Sequence, residues 1–276
     1  MIGLSFGVET APLAAERLFD IGPLTITNSM LFGLAGALLT LIFLGLAASA
    51  SQLYPRSKVA YFAESLVELI LKTATDSFGN RQKALRHLPF LATLFTFILL
   101  SNLSGLLPGV ESLHAEVDGQ EVPLLRSFTT DLNATLAMAI LAVGLVQFYA
   151  VKELGLIGHL KHYFSDKPWN PVNLFIGLNE LFSEFLRIVT LSMRLFGVIY
   201  AGEVLLFTVG QLAGNFAWAA TLPIMFLEIF FSLVQAYIFM MLTAAYLSMA
   251  TNSDGHQTSN DIKEARTQVK LKTANY

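Results

Sequence analysis

Long apolar runs and polar connectors alternate along the chain. Five runs are long enough for a membrane helix, which needs about 20 apolar residues to cross the hydrocarbon core. They fall near 27–50, 88–108, 132–151, 171–211 and 216–249. The first three carry no charged residue, the fourth carries Glu180, Glu184, Arg187, Arg194 and Glu203, and the fifth carries Glu228 alone. The last two are longer than one perpendicular crossing requires, which predicts a tilted helical hairpin. Between the first two runs, residues 55–87 set charges at intervals among Leu66, Val67, Leu69, Ile70 and Leu71. That pattern predicts an amphipathic helix lying on the membrane surface. The expected fold is therefore an all-α polytopic membrane protein with five transmembrane helices plus this surface helix. Residues 1–250 form one membrane domain without tandem repeats, and 251–276 form a polar, disordered tail.

Composition agrees with a lipid solvent. Of 276 residues, 54% are hydrophobic and only 13% charged, about half the charge of an ordinary soluble domain. The net charge of −3 does not favour nucleic acid. The chain has no cysteine, which excludes disulfides, thiolate metal sites and cysteine nucleophiles. The first twenty residues lack a basic region and include Glu9, Glu16 and Asp20, so a cleaved leader is not expected.

Basic residues orient the spans. Arg56, Lys58, Lys72, Arg81, Lys83 and Arg86 lie in the first connector, Lys152, Lys161 and Lys167 in the third, and Lys263, Arg266, Lys270 and Lys272 in the tail. The opposite side has only Arg17 and Arg126. The N-terminus is thus expected outside, the C-terminus inside, and the acidic 111–130 connector outside.

The fourth and fifth spans hold the candidate chemistry. A guanidinium stays charged in proteins, and placing one at membrane depth costs roughly 2.5–3.5 kcal/mol on insertion scales. At 100° per residue, Glu180, Glu184, Arg187 and Arg194 share one side of a helix. Glu184 and Arg187 are spaced to neutralise each other. Glu180 is nearer the inner edge, where it lines water or snorkels. Arg194 has no carboxylate within one or two turns of its own helix, so its partner is either on another span, Glu228 being one candidate, or a group outside this chain. Glu203 lies nine residues further out and about 180° around from Arg194. Glu228 falls in the same outer half, with Gln235 seven residues deeper on its face. These groups would line a wet path to mid-membrane or, as a bland alternative, join two helices through a shared proton.

Other chemistry is missing. There is no phosphate-cradling glycine loop and no His-Glu-x-x-His pattern. The five histidines sit at span ends, in connectors or in the tail, where interfacial or solvated side chains are expected. No cofactor or metal is expected.

Several segments together carry a resemblance: Leu191-Ser192-Met193-Arg194-Leu195-Phe196-Gly197, Ala201-Gly202-Glu203, residues 235–243, and Tyr246-Leu247-Ser248-Met249-Ala250. With Asn102, Pro108, Asp131, Asn133, Thr135, Pro171 and Asn173 in the same order, they make the chain closely similar, over roughly 55–250, to the a subunit of the rotary F-type ATP synthase. The resemblance implies a stator in a bacterial inner membrane that forms two offset half-channels against a ring of c subunits. It implies peripheral-stalk b subunits as partners besides lipid, and H⁺ or Na⁺ as the transported ion. It matches Arg194 to the arginine that meets the ring carboxylate. It matches Glu203, Glu228 and Gln235 to the outer half-channel, and Asn102 to a polar position of the second span. The inner half-channel is expected near Glu180, Ser183 and Asn173. Val198 stands where the family often has Asn, so that role does not transfer, and Glu228 stands where many members have His. The subunit is expected to be non-catalytic by itself. The alternative is a self-contained ion channel or secondary transporter, which would usually show inverted repeats with broken helices.

Overall fold

The computed structural model describes residues 15, 17–21, 24–50, 58–107, 114–117, 120–123, 126–155 and 171–251. Six long helices make up most of it: α1 Asn28–Ala50, α2 Lys58–Phe78, α3 Arg81–Gly105, α4 Leu132–Leu154, α5 Pro171–Ala213 and α6 Ala217–Thr251. Two antiparallel hairpins accompany them. β1 Arg17–Ile21 pairs with β2 Leu24–Thr27, and β3 His114–Val117 pairs with β4 Gln120–Pro123. The expected all-α class holds for the membrane body, but it did not include these hairpins. Their signal was local. Gly22-Pro23 and Asp118-Gly119 are turn-forming dipeptides, and the second suits a two-residue hairpin link. The tail and the 156–170 connector, with His159, His162 and Trp169, lie outside the described residues.

Four helical stretches are long and apolar enough to cross a membrane among the described residues: Asn28–Ser49, Arg81–Gly105, Leu132–Glu153 and Gly177–Thr251. The last, 75 residues, breaks at a 3₁₀ turn, Gly214–Phe216, where Gly214 has φ +51°. That left-handed conformation suits a residue without Cβ and separates α5 from α6.

Side-chain caps fix two helix starts. The Asn80 side chain accepts from the Gln82 amide at 2.8 Å, so α3 begins at Arg81, seven residues before the apolar run. The Asp131 carboxylate accepts from the Asn133 amide at 3.0 Å and from the Ser29 hydroxyl at 2.7 Å. It therefore starts α4 and ties it to α1.

α6 packs against α2, α3, α4 and α5. The core joins Ile70 of α2, Leu91 and Phe95 of α3, Met138 and Ala139 of α4, Leu191 and Leu195 of α5, and Ala236, Phe239, Met240 and Leu247 of α6. Lipid supplies no hydrophobic drive between helices, so close approach depends on small residues. Ala74, Ala84, Ala139, Ala236 and Ala244 are all fully buried. α2 buries Ala63, Ile70, Ala74 and Phe78 and exposes Glu64, Glu68, Lys72 and Asp76, an amphipathic distribution. It is tied to α6 by Thr73 and Tyr237 at 3.2 Å and by the Ser248 hydroxyl donating to the Ser77 carbonyl at 2.8 Å.

His87 departs from the solvated-histidine expectation. Its ring is buried, stacked on Phe78 at 5.3 Å and edge-on to Tyr149 at 5.0 Å. Its Nε2 lies 3.2 Å from Oε1 of Glu153, which Arg86 also reaches at 3.3 Å. Burying an imidazole needs a polar partner, and Glu153, 66 positions away, supplies it.

α1 meets the 3₁₀ turn Phe128–Thr130 through Gly33. A Cβ there would run into the Phe128 ring, and Phe97 packs edge-on against that ring at 5.8 Å. The ring has little room to yield. Gly33→Ala is expected to destabilise the chain by about 1–3 kcal/mol, visible as earlier thermal unfolding in detergent. An unchanged midpoint would contradict this packing.

Candidate functional site in the terminal hairpin

The charged groups of α5 and α6 fall into three settings. In the first half of α5, Arg187 Nη1 pairs with Glu184 Oε1, and the guanidinium lies 4.6 Å from the Tyr246 ring centroid on α6. The pair is mostly buried, with both charges neutralised locally. Ser183, next to Glu184, and Glu180, one turn before it, are half-buried, and the Ser183 hydroxyl donates to the Asn179 carbonyl at 2.9 Å. Asn173 lies in the first turn of α5, and its side chain is outside the described residues.

Arg194 is different. α5 buries Leu191, Ser192, Leu195 and Ile199 against its neighbours, and Thr135 of α4 meets Ser192 at 3.3 Å. This contact clamps the side of α5 turned away from Arg194. Arg194 itself is exposed, and no hydrogen bond or ion pair joins it to the described residues. Thr190, Met193, Gly197 and Ala201 are exposed alongside it, and a Cβ built on Gly197 would meet nothing within 4 Å. A permanent charge thus stands midway along a crossing, on an open strip of mostly small residues. Of the partners expected for it, Glu228 is turned elsewhere.

Glu228 is 4% exposed, and its carboxyl lies against the backbone of Gly202: a Cβ there would stand 2.8 Å from Oε1. A longer side chain at 202 would fill the space the carboxyl occupies. Glu203, the next residue, is half-buried, and Oε2 of each acid is sealed from solvent. Glu203 lies eleven residues before Gly214 and Glu228 fourteen after it, so the hairpin brings both acids to similar depth.

The buried stripe of α6 continues inward from Glu228 through Ser232 and Gln235, 0% and 3% exposed. Gln235 Nε2 is buried without a hydrogen-bond partner among the described residues, and so are both amide atoms of Asn102 near the C-terminal end of α3. No hydrogen bond joins Asn102 to α6 among the described residues. Each unpaired buried polar group costs about 1–3 kcal/mol unless water meets it. The sequence reasoning passed over Ser232 and the Thr135–Ser192 contact. For Ser232 a signal existed, because it is four residues after Glu228 and three before Gln235, on one helical face.

These features define a polytopic helical membrane protein whose terminal hairpin sets a cation, unpaired among the described residues, on an open face of α5, and two acids, one half-buried and one buried, further towards the hairpin turn. A profile described as ATP synthase A chain matches residues 29–248, and the chain belongs to that family. It is 33% identical over 236 residues to ATP synthase subunit a 1 of Photobacterium profundum, covering 83% of this chain and 87% of the relative. It is 34% identical over 232 residues to ATP synthase subunit a of Aeromonas salmonicida (strain A449), covering 81% and 86%. It is 31% identical over 251 residues to ATP synthase subunit a 2 of Bradyrhizobium sp. (strain BTAi1 / ATCC BAA-1182), covering 89% and 98%.

Proposed function

We propose that this chain is the stator subunit of a proton-translocating ATP synthase, set in a bacterial inner membrane against a ring of c subunits and held by b-type stalk subunits. It crosses five times, with its N-terminus outside and its C-terminus inside. The family supports the assembly, and the basic residues, concentrated on one side, support the orientation. The chain carries out no nucleotide chemistry itself. Its part is to move protons onto and off the ring.

The observation that carries this reading is Arg194, exposed and without a partner among the described residues, on a strip of mostly small side chains. A mid-membrane cation in that setting needs a counter-charge from a neighbour. A deprotonated ring carboxylate is attracted to Arg194, and a protonated one is free to turn into lipid. Asn102, Glu203, Glu228 and Gln235 feed the ring from outside. Glu180, Ser183 and Asn173 line the exit within. The membrane potential contributes about 2.3 kcal/mol per charge per 100 mV. A self-contained channel would need a polar path through the whole thickness. The buried α6 stripe is instead interrupted below Gln235 by Ala236, Phe239 and Met240, before polar residues resume at Thr243.

Gly197→Phe tests the rotor contact. The space beside Gly197 is open in this chain, so the variant is expected to fold and assemble. It should still lose proton flux by more than about tenfold, because a benzyl group would obstruct the 8–10 Å approach of packed helices. Proton uptake by proteoliposomes holding the assembled complex measures this. Undiminished uptake would remove the ring from this face.

A further inference from the structure

We infer that Ser232 is a station on the outer proton path, its hydroxyl holding water between the Glu228 carboxyl and the Gln235 amide. This inference rests on the stator reading above and adds a residue to it.

Ser232 is 0% exposed, and its Oγ has no hydrogen-bond partner among the described residues. Thr96 and Ser101 of α3 share this state among the described residues. Helical hydroxyls here commonly donate to the carbonyl four residues back: Thr40 to Gly36, Thr93 to Pro89, Thr190 to Leu186, Thr208 to Val204, Thr221 to Ala217 and Thr243 to Phe239. Such back-bonding is the ordinary way to satisfy a hydroxyl in an apolar helix. Ser232 has the Glu228 carbonyl in the same position and makes no such bond. Its hydroxyl is left without a protein partner among the described residues.

Neighbouring groups indicate what meets it instead. Glu228, Ser232 and Gln235 follow one another at i, i+4 and i+7 along the buried face of α6. Gln235 Nε2 is likewise unpartnered among the described residues, and the outermost member is an acid that can exchange a proton. A water needs two to four polar partners; a hydroxyl that both donates and accepts, flanked by a carboxyl and an amide, supplies them. One turn below Gln235 the same face is closed by Phe239 and Met240, both 0% exposed. The hydrated strip therefore ends near the depth of Arg194.

Because the chain has no cysteine, Ser232→Cys would introduce its only thiol. Phe239→Cys is the matched control, on the same stripe with the same burial. Each is made in the assembled complex, reconstituted so that the outer face meets the bath, and treated with silver ion, which needs an ionised thiol and hence water. Ser232→Cys is expected to react at least about tenfold faster than Phe239→Cys, and its reaction to stop proton flux. Ser232→Ala, assembled in normal amount, is expected to lower flux about tenfold. Equal reactivity of the two thiols, or full flux in Ser232→Ala, would overturn the assignment of Ser232 while leaving the stator reading intact. Coupled synthesis surviving in Arg194→Ala would instead overturn that reading, whatever Ser232 does.

Discussion

Arg194→Ala is expected to abolish coupled ATP synthesis and to raise the passive proton leak of the assembled complex. Removing one partner of a close, desolvated charge pair costs about 3–5 kcal/mol, and each 1.36 kcal/mol is a factor of ten in rate. Synthesis should therefore fall by more than about a hundredfold. The leak should rise because nothing then prevents a ring carboxylate from passing protonated between the two half-channels. The variant should still insert and assemble, since Arg194 makes no bond to the described residues that packing would miss. Arg194→Lys should be intermediate: it keeps the charge but presents a compact ammonium on a flexible stem in place of a planar fork. ATP synthesis and leak in the same vesicles decide the matter. Coupled synthesis at an ordinary rate in Arg194→Ala would end the assignment.

The paired change Glu203→Gln with Glu228→Gln is expected to lower proton flux by about a hundredfold, the usual scale for losing positioned proton transfer. Glutamine keeps the size of the side chain, so Glu228→Gln should still fit against Gly202. It cannot hold and release a proton. The two acids sit at similar depth on adjacent helices, so each single change should cost less than half the double effect, as expected for groups that substitute for one another. Proton uptake driven by a potassium diffusion potential measures all three variants. Unchanged flux in the double variant would place the outer path elsewhere in the bundle.

Much of the membrane body was legible in order. Helices α1, α3, α4, α5 and α6 cover most of the five apolar runs, because lipid leaves no other way to satisfy a spanning backbone. The boundaries were less legible. α3 starts at Arg81, before the apolar run, because the Asn80 cap rather than hydrophobicity sets its start. The β hairpins went unseen beside the stronger helical pattern. The Glu184–Arg187 pair was readable from its spacing. The burial of His87 was not, since its partner Glu153 comes from another helix.

By itself the sequence determined the number and order of the apolar runs, the amphipathic helix and a permanent charge at membrane depth. Hydrophobic length, helical period and the protonation of a guanidinium are local properties. Only the tertiary structure decided how that charge stands towards the acids of its own chain. At sequence level Glu228 was as good a partner for Arg194 as any outside group. The rotation of α6 about its axis turns the acid towards Gly202 instead, where a missing Cβ makes room for a buried carboxyl. Rotation follows from packing the Ala236, Phe239 and Met240 face into the core, a collective requirement of four neighbouring helices that no single segment expresses.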